Sequence, residues 1–482
     1  MNIPYNRSGN MMDWLLYMIL FISAVLLNAC GEHGGAVDDE EDVIDPNLYW
    51  TSSWDRFDII ALEGDSPINP NVKAIKDIQG DVHIFYYTEG DLYQGNQMRY
   101  QIHHLVWNPE TDVLIGEEEI LDTQPPNPYD PEDSGLNNCL VLSVAMTSYG
   151  SPVVAYQGGD IPQAEDGTIC NFIYQGDLMV NIPIGGIWSE YLGIQGDASS
   201  KNPYFTDGYI GNFASIALDS RNDIHMCSQH YFEYCDWTSS HYPDLMYVRR
   251  SMNQLGHYST SMEERVDEYN VYGAGGGMQS AMGYYCEIIL DSLDNPMIFY
   301  VGTPIADGIG EDRRTLRRAV KNSGEWVPEI IEVLEDWRVE WISPAVSIDG
   351  TVGVAYYLED ETGINDHPDH LRYAQLQNDG SWRIDVVDNT SNCGKYCSLA
   401  FDGNGYPAIG YQDIEARTAS YRKNYDLLFA RFDGTNWGTE TVATAGNVGL
   451  YNSLWFDEDG IAYICTYDLN AQQVAVFRER AN

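Results

Sequence analysis

The chain reads as all-β: a seven-bladed β-propeller of four-stranded antiparallel blades, its ring closed by the N-terminal strand joining the C-terminal blade. Three observations predict this. A sixteen-residue phrase is written twice, as SLAFDGNGYPAIGYQD over Ser398–Asp413 and as SLWFDEDGIAYICTYD over Ser453–Asp468. A second phrase of the form Leu-x-Tyr-Ala follows most copies of the first. The two ends of the chain are each incomplete, and each supplies what the other lacks. Recurrence of this kind marks a repeat architecture.

The first repeated element is Ser-Φ-x-Φ-Asp, a turn, and an alternating run ending in Tyr. Copies surround Asp77, Thr147, Asp219, Asp291, Asp349, Asp402 and Asp457, at steps of 70, 72, 72, 58, 53 and 55 residues. Period-two alternation around Gly, Asn and Asp predicts two strands joined by a tight turn. The third strand is expected at Met98–Tyr100, Leu245–Tyr247, Leu316–Ala319, Leu371–Ala374 and Leu427–Ala430. A Trp and an acidic alternating run then form the fourth, as at Trp326, Trp382 and Trp437. The seventh unit reaches its third strand at Gln473–Phe477 and has no fourth, whereas Trp54–Leu62 is a Trp-led strand with no three before it. Placing Trp54–Leu62 in the last blade closes the ring and removes an exposed edge.

Composition agrees. Of 482 residues, 44% are hydrophobic, and 35 Tyr and 12 Trp suit half-buried pleated surfaces. There are 73 acidic and 25 basic residues, a formal charge of −48. Such a field repels phosphate backbones, so no nucleic-acid partner is expected.

Trp14–Asn28 is an apolar run too short to favour a spanning helix, and it fits the core of a secretion signal. It leads into Leu27-Asn28-Ala29-Cys30-Gly31, which resembles a bacterial lipobox. That resemblance implies lipidation of Cys30, which would become the mature N-terminus, and with Gly31 after it, a place on the outer membrane or cell surface. The domain expectation is therefore residues 1–30 as a lipoprotein signal peptide, 31–50 as an acidic flexible tether, and 51–482 as the propeller. Membrane contact is expected only through the lipid anchor, and the protein is expected to be a monomer.

The repeat SLAFDGNGYPAIGYQD followed by LLFARFDGTNWGTETV resembles those of bacterial exported lipoproteins whose seven-bladed propellers sit among the sialidase-like and lectin-like families. The resemblance spans about residues 54–482 and implies a fold; a propeller scaffold hosts many activities.

If Cys30 is lipidated, eight of the nine cysteines are left, an even number in an oxidising compartment. The local disulfide candidates are Cys393 with Cys397 and Cys227 with Cys235. The first three repeat steps are longer than the last three, and the extra length is expected in loops, where propellers bind. The inserts are Glu89–Gln97, Gln229–Asp244 and Val271–Tyr285. The second holds His230, Tyr231, Tyr234, Trp237 and His241, a candidate contact surface for an extracellular glycan or protein. The repeated Trp and Asp are expected to be packing and turn-forming residues. Asp291–Asn295 and Asp457–Gly460 are oxygen-rich turns of the kind that hold Ca²⁺, at no EF-hand spacing; no cofactor is expected. His83 and His225 share a second-strand position; two His on separate blades would take a metal there if they met at a central channel, but strand histidines hydrogen-bonded locally are the expectation. Arg249, Arg250, Arg313, Arg314, Arg317 and Arg318 come in adjacent pairs that alternation sends to opposite sheet faces, unlike a sialidase triad. The leading expectation is a non-enzymatic, surface-exposed binder of glycan or protein. The alternative is an extracellular glycoside hydrolase or lyase with its site at the channel mouth.

Overall fold

A computed structural model describes residues 53–61, 71–89, 100–124, 142–158, 177–184, 187–194, 206–233, 244–251, 263–267, 282–302, 314–334, 337–360, 370–390, 392–415, 424–444 and 447–481. The signal and tether expectations fall outside them. The strands in chain order are β1 (Trp54–Ala61), β2 (Val72–Lys76), β3 (Val82–Glu89), β4 (Tyr100–Asn108) and β5 (Val113–Gln124). Next come β6 (Leu142–Met146), β7 (Pro152–Gly158), β8 (Asp177–Ile184), β9 (Ile187–Ile194), β10 (Thr206–Leu218), β11 (Ile224–Glu233), β12 (Asp244–Arg250) and β13 (Glu263–Asp267). Then follow β14 (Met282–Leu290), β15 (Pro296–Gly302), β16 (Thr315–Asn322), β17 (Glu325–Val333), β18 (Trp337–Val346), β19 (Val352–Asp360), β20 (His370–Leu376) and β21 (Trp382–Asp388). The last are β22 (Cys393–Phe401), β23 (Pro407–Glu415), β24 (Asn424–Phe432), β25 (Trp437–Ala443), β26 (Leu450–Phe456), β27 (Ala462–Asp468) and β28 (Gln473–Glu479).

They form seven four-stranded antiparallel sheets. Blades 1 to 6 take consecutive strands, β2–β5 through β22–β25; blade 7 has the order β1-β28-β27-β26. The inner strands β2, β6, β10, β14, β18, β22 and β26 touch their neighbours around a closed ring, β2 meeting both β6 and β26. The closing strand pairs as the sequence requires, Phe57 opposite Val476 and Trp54 opposite Glu479. Arg480 N donates to the Ser53 carbonyl at 2.8 Å, and Arg56 donates to Asp468 at 2.8 Å and Gln473 at 3.1 Å.

The turn after each inner strand explains the repeated Asp. One carboxylate oxygen accepts the N–H groups two and four residues on: Asp77 from Gln79 and Asp81, Asp402 from Asn404 and Tyr406, Asp457 from Asp459 and Ile461. These are Asx turns. In blade 5 the turn starts at Ser347, whose hydroxyl accepts from Thr351 N at 2.9 Å, so the true repeat position lies two residues before Asp349.

The repeated Trp joins blades. On outer strands, Trp188 donates its indole N–H to Glu119 at 2.6 Å, Trp326 to Glu264 at 2.9 Å, Trp382 to Glu329 at 3.0 Å, Trp437 to Asp385 at 3.4 Å and Trp54 to Glu440 at 3.2 Å. Each acceptor sits on the outer strand of the preceding blade. Trp107 departs from the expected position: it lies on β4, a third strand.

The expected Cys393–Cys397 disulfide is corrected. Cys393 and Cys397 are both buried and are not bonded to each other. They lie on one strand four residues apart, a span on the order of 10 Å that exceeds the roughly 7 Å a disulfide tolerates. Their thiols instead face the carbonyls of Asp388 and Trp341. Cys227 is also buried, beside Cys286, and Cys235 lies outside the described residues.

Trp54 is wholly buried in the closing blade and meets Phe429 edge-on at 5.2 Å. Trp54→Ala is expected to lower unfolding free energy by about 3–5 kcal/mol, read from urea denaturation. A loss near zero would mean β1 does not clasp the ring.

Candidate functional site

Antiparallel pairing fixes two edges to every blade. Inner strands begin, and β3 meets β4 and β11 meets β12, at one edge; the Asx turns lie at the other. The three long inserts read from the sequence all depart from the first edge.

At that edge each of five inner strands carries a bulge where the register slips, between Asn212 and Ser215, Tyr284 and Glu287, Glu340 and Ile342, Lys395 and Ser398, and Leu450 and Ser453. In each bulge one aromatic residue adopts a left-handed backbone: Phe213 (φ 50°), Tyr285 (φ 50°), Trp341 (φ 47°), Tyr396 (φ 54°) and Tyr451 (φ 53°). Left-handed φ is ordinary for Gly and costs a bulky residue about 1–2 kcal/mol. Packing holds them there. Ring centroids are 4.7 Å apart for Phe213–Tyr285, 5.6 Å for Tyr285–Trp341, 4.5 Å for Trp341–Tyr396 and 4.6 Å for Tyr396–Tyr451. Trp341 also reaches Tyr451 at 5.6 Å, so the rings form a connected aromatic collar over the axis.

Two residues before the aromatic, Gly283, Gly394 and Gly449 are themselves left-handed. A Cβ on Gly394 would lie 3.1 Å from the Leu371 backbone of the preceding blade, so the glycine lets one blade's strand cross close over another. The sequence signal is Gly-x-aromatic-x-Ser or Glu: Gly211-Asn-Phe213-Ala-Ser215, Gly283-Tyr-Tyr285-Cys-Glu287, Gly394-Lys-Tyr396-Cys-Ser398 and Gly449-Leu-Tyr451-Asn-Ser453. Sequence reasoning anchored the repeat on the Ser and missed what precedes it.

Below the collar a hydroxyl seam joins inner strands. Ser143 Oγ accepts from Ile216 N at 3.0 Å, Ser215 from Ile288 N at 3.2 Å, Ser343 from Leu399 N at 2.9 Å, Ser398 from Leu454 N at 3.0 Å and Ser453 from Ala74 N at 3.1 Å. Every one of these bonds runs from one blade to the next.

Of the candidate binding loop, His230 and Tyr231 belong to β11, their backbones opposite Asp244 and Tyr209 near the collar edge. Tyr234, Trp237 and His241 lie outside the described residues, as does Cys30.

His83 and His225 do not meet. His83 Nδ1 bonds His104 Nε2 at 2.9 Å, and His104 Nδ1 bonds Glu119 at 3.1 Å, within blade 1. His225 Nδ1 bonds the Tyr247 hydroxyl at 2.8 Å in blade 3. Among the described residues no group of three or more His, Cys, Asp or Glu side chains is placed to hold a metal. The turn carboxylate of Asp291 serves the amides of Leu293 and Asn295; burial opposes its charge, but those bonds and the Asn295 side chain hold it below the usual carboxylate range. Arg317 and Arg318 face opposite ways, toward Asp267 at 3.3 Å and Glu329 at 2.8 Å, and Arg249 lies 2.7 Å from Asp219. The described arginines of this set form no triad.

This geometry has solved parallels. An ulvan lyase whose structure is bound to -[GlcA(1-4)Rha3S]- aligns with TM-score 0.52 and 13% identity over 85% of this chain and 93% of that one. The polysaccharide lyase Uly1 aligns with TM-score 0.50 and 10% identity over 88% and 92%. The fold is a propeller that polysaccharide lyases also use. The NanB sialidase from Streptococcus pneumoniae aligns at TM-score 0.41 and 11% identity over 88% and 71%. No family model and no curated protein matches the chain. At these identities the likeness is one of fold.

The buried histidines make stability pH-dependent. Burial pushes His104 down to about 4, outweighing the Glu119 bond, and it also lowers His83 against the pull of Asp77. The unfolded chain therefore binds protons the folded one refuses, so stability is full above about pH 7 and declines from about 6.5 toward 4. The urea midpoint is expected to fall over that window, and His104→Gln is expected to flatten the slope. An unchanged slope in the variant would count against this assignment.

Proposed function

We propose that this chain is a cell-envelope lipoprotein that binds an extracellular glycan at the mouth of its axis, with no chemistry of its own. The aromatic collar carries this reading. Five bulky residues in a backbone region that disfavours them is strain, and strain of this kind concentrates where a site needs a fixed shape. Phe213, Tyr285 and Trp341 are the collar's partly exposed members and offer flat apolar surface to the C–H face of a sugar ring, while Tyr396 and Tyr451 are buried and brace them. The inserts departing from the same edge supply further contact area, His230, Tyr231, Tyr234, Trp237 and His241 among them. The glycan-bound ulvan lyase is a propeller with the same general layout, which supports a carbohydrate ligand over a protein one.

Glycan-array screening followed by calorimetry is the test. Trp341→Ala and Tyr285→Ala are each expected to weaken the captured glycan about tenfold or more, ~1.4 kcal/mol. Retention of no glycan, or release of shortened or unsaturated products from any polysaccharide, overturns the binder reading; the second outcome installs the enzyme alternative.

Anchoring is proposed through two acyl chains on Cys30, since one chain holds a protein only marginally. Cys30→Ala is expected to move the protein from the membrane to the soluble fraction. Unchanged fractionation would sink the lipid anchor and leave the mouth untouched.

A further inference from the structure

The hydroxyl seam has seven seats, one per inner strand, two residues or about 7 Å of strand below the collar. Five are Ser; the other two are Lys73 in blade 1 and Glu287 in blade 4. The serine's task is to accept the N–H of the residue that faces it in the next blade. For blade 4 that residue is Pro344, which has no N–H, so the seat at 287 is released from the task. For blade 1 it is Val144, whose N–H an ammonium cannot accept. Both departures leave the seam without its bond at that step and place a charge on the axis instead.

Lys73 and Glu287 stand three blades apart in a ring of seven, close to opposite. Burial raises the Glu287 carboxyl above its usual range, while the Lys73 charge and the Ser215 hydroxyl, which donates to Glu287 Oε2 at 2.6 Å, pull it back. Both residues occupy the position that serine holds on the other inner strands, which puts them on the strands lining the axis. Glu287 thus has a donor in Ser215. Lys73 has no ion-pair or hydrogen-bond partner among the described residues. Above it the collar has no aromatic seat: the position two residues before Lys73 is Asn71, where the other described blades carry Phe213, Tyr285, Trp341, Tyr396 and Tyr451. A half-buried ammonium therefore stands beneath the part of the rim that lacks a ring.

We propose that Lys73 is an anion-recognising residue of the mouth, selecting a glycan that carries an isolated anionic substituent. The ligand group reaches Lys73 past Asn71 while the sugar ring lies on the collar. With a formal charge of −48 the protein repels a densely charged polymer, so one carboxylate or sulfate on an otherwise neutral glycan fits better than a polyanion. This deepens the glycan-binding reading and rests on it.

The experiment titrates glucose, glucuronate and glucose 6-sulfate into the full protein and its Lys73→Ser and Lys73→Arg variants, by saturation-transfer NMR and calorimetry. Lys73→Ser installs the residue of five other blades and gives Val144 N–H an acceptor, so it is expected to fold with an unchanged or raised urea midpoint. The expected result is a tenfold or greater preference for a charged sugar over glucose, lost in Lys73→Ser, kept in Lys73→Arg, and weakened by salt. Preference for glucuronate alone assigns a carboxylate, and for the sulfate ester alone a sulfate. Equal charged-sugar binding in Lys73→Ser overturns the proposal, as does wild-type protein that binds no charged sugar more tightly than glucose. If array glycans still bind and are lost in Trp341→Ala without any charge preference, Lys73 loses its role and the collar keeps its own. If no sugar or array glycan binds, both readings fall.

Discussion

A strand with no neighbour on one side leaves a row of backbone groups to be covered, and the innermost strand of every blade has this problem. The ring solves it by making each blade the cover of the next. Serine oxygens from one inner strand take the amide protons of the following one, as Ser398 does for Leu454. Tryptophans do the equivalent work at the rim, as Trp437 does with Asp385. Neither bond survives if the blades separate, so the blades hold as a set, and the set is stable only if it closes. Closure falls to β1, which is why Trp54 is so deeply buried although it stands so far from its blade in sequence.

The same covering requirement shapes the mouth. To pass close over the preceding blade the inner strand needs Gly394 or its equivalents, and in five blades the bulge that follows holds one aromatic residue in the left-handed state. Strain at Trp341 or Tyr396 is offset by stacking among the rings. Where the seam is abandoned, the reason is chemical. Pro344 removes the need for an acceptor and admits Glu287. Lys73 has no such excuse in its neighbour Val144, which marks it as a residue kept for something other than holding the ring.

Architecture was legible because its signals are local: alternation, turn-forming Asp, and a period. The Asx turns at Asp77, Asp402 and Asp457 and the pairing of Phe57 with Val476 are what those signals imply. The collar was not legible, because the usual rule assigns left-handed backbone to Gly, and Tyr451 or Phe213 in that state follows from packing that the sequence does not display. Cysteine parity pointed to bridges that strand geometry forbids at Cys393 and Cys397. A common second-strand position for His83 and His225 did not bring them together, since second strands stand back from the axis behind the first.

The order of strands in the last blade has a directional consequence. Trp54 lies at the rim that holds the Asx turns, and the strand climbs from there to Ala61 beside Gln473, at the rim that holds the collar. The closing strand thus enters the ring on the face that holds the Asx turns, where Ile78, Leu293 and Ile348 are exposed, so that face presents apolar side chains of its own.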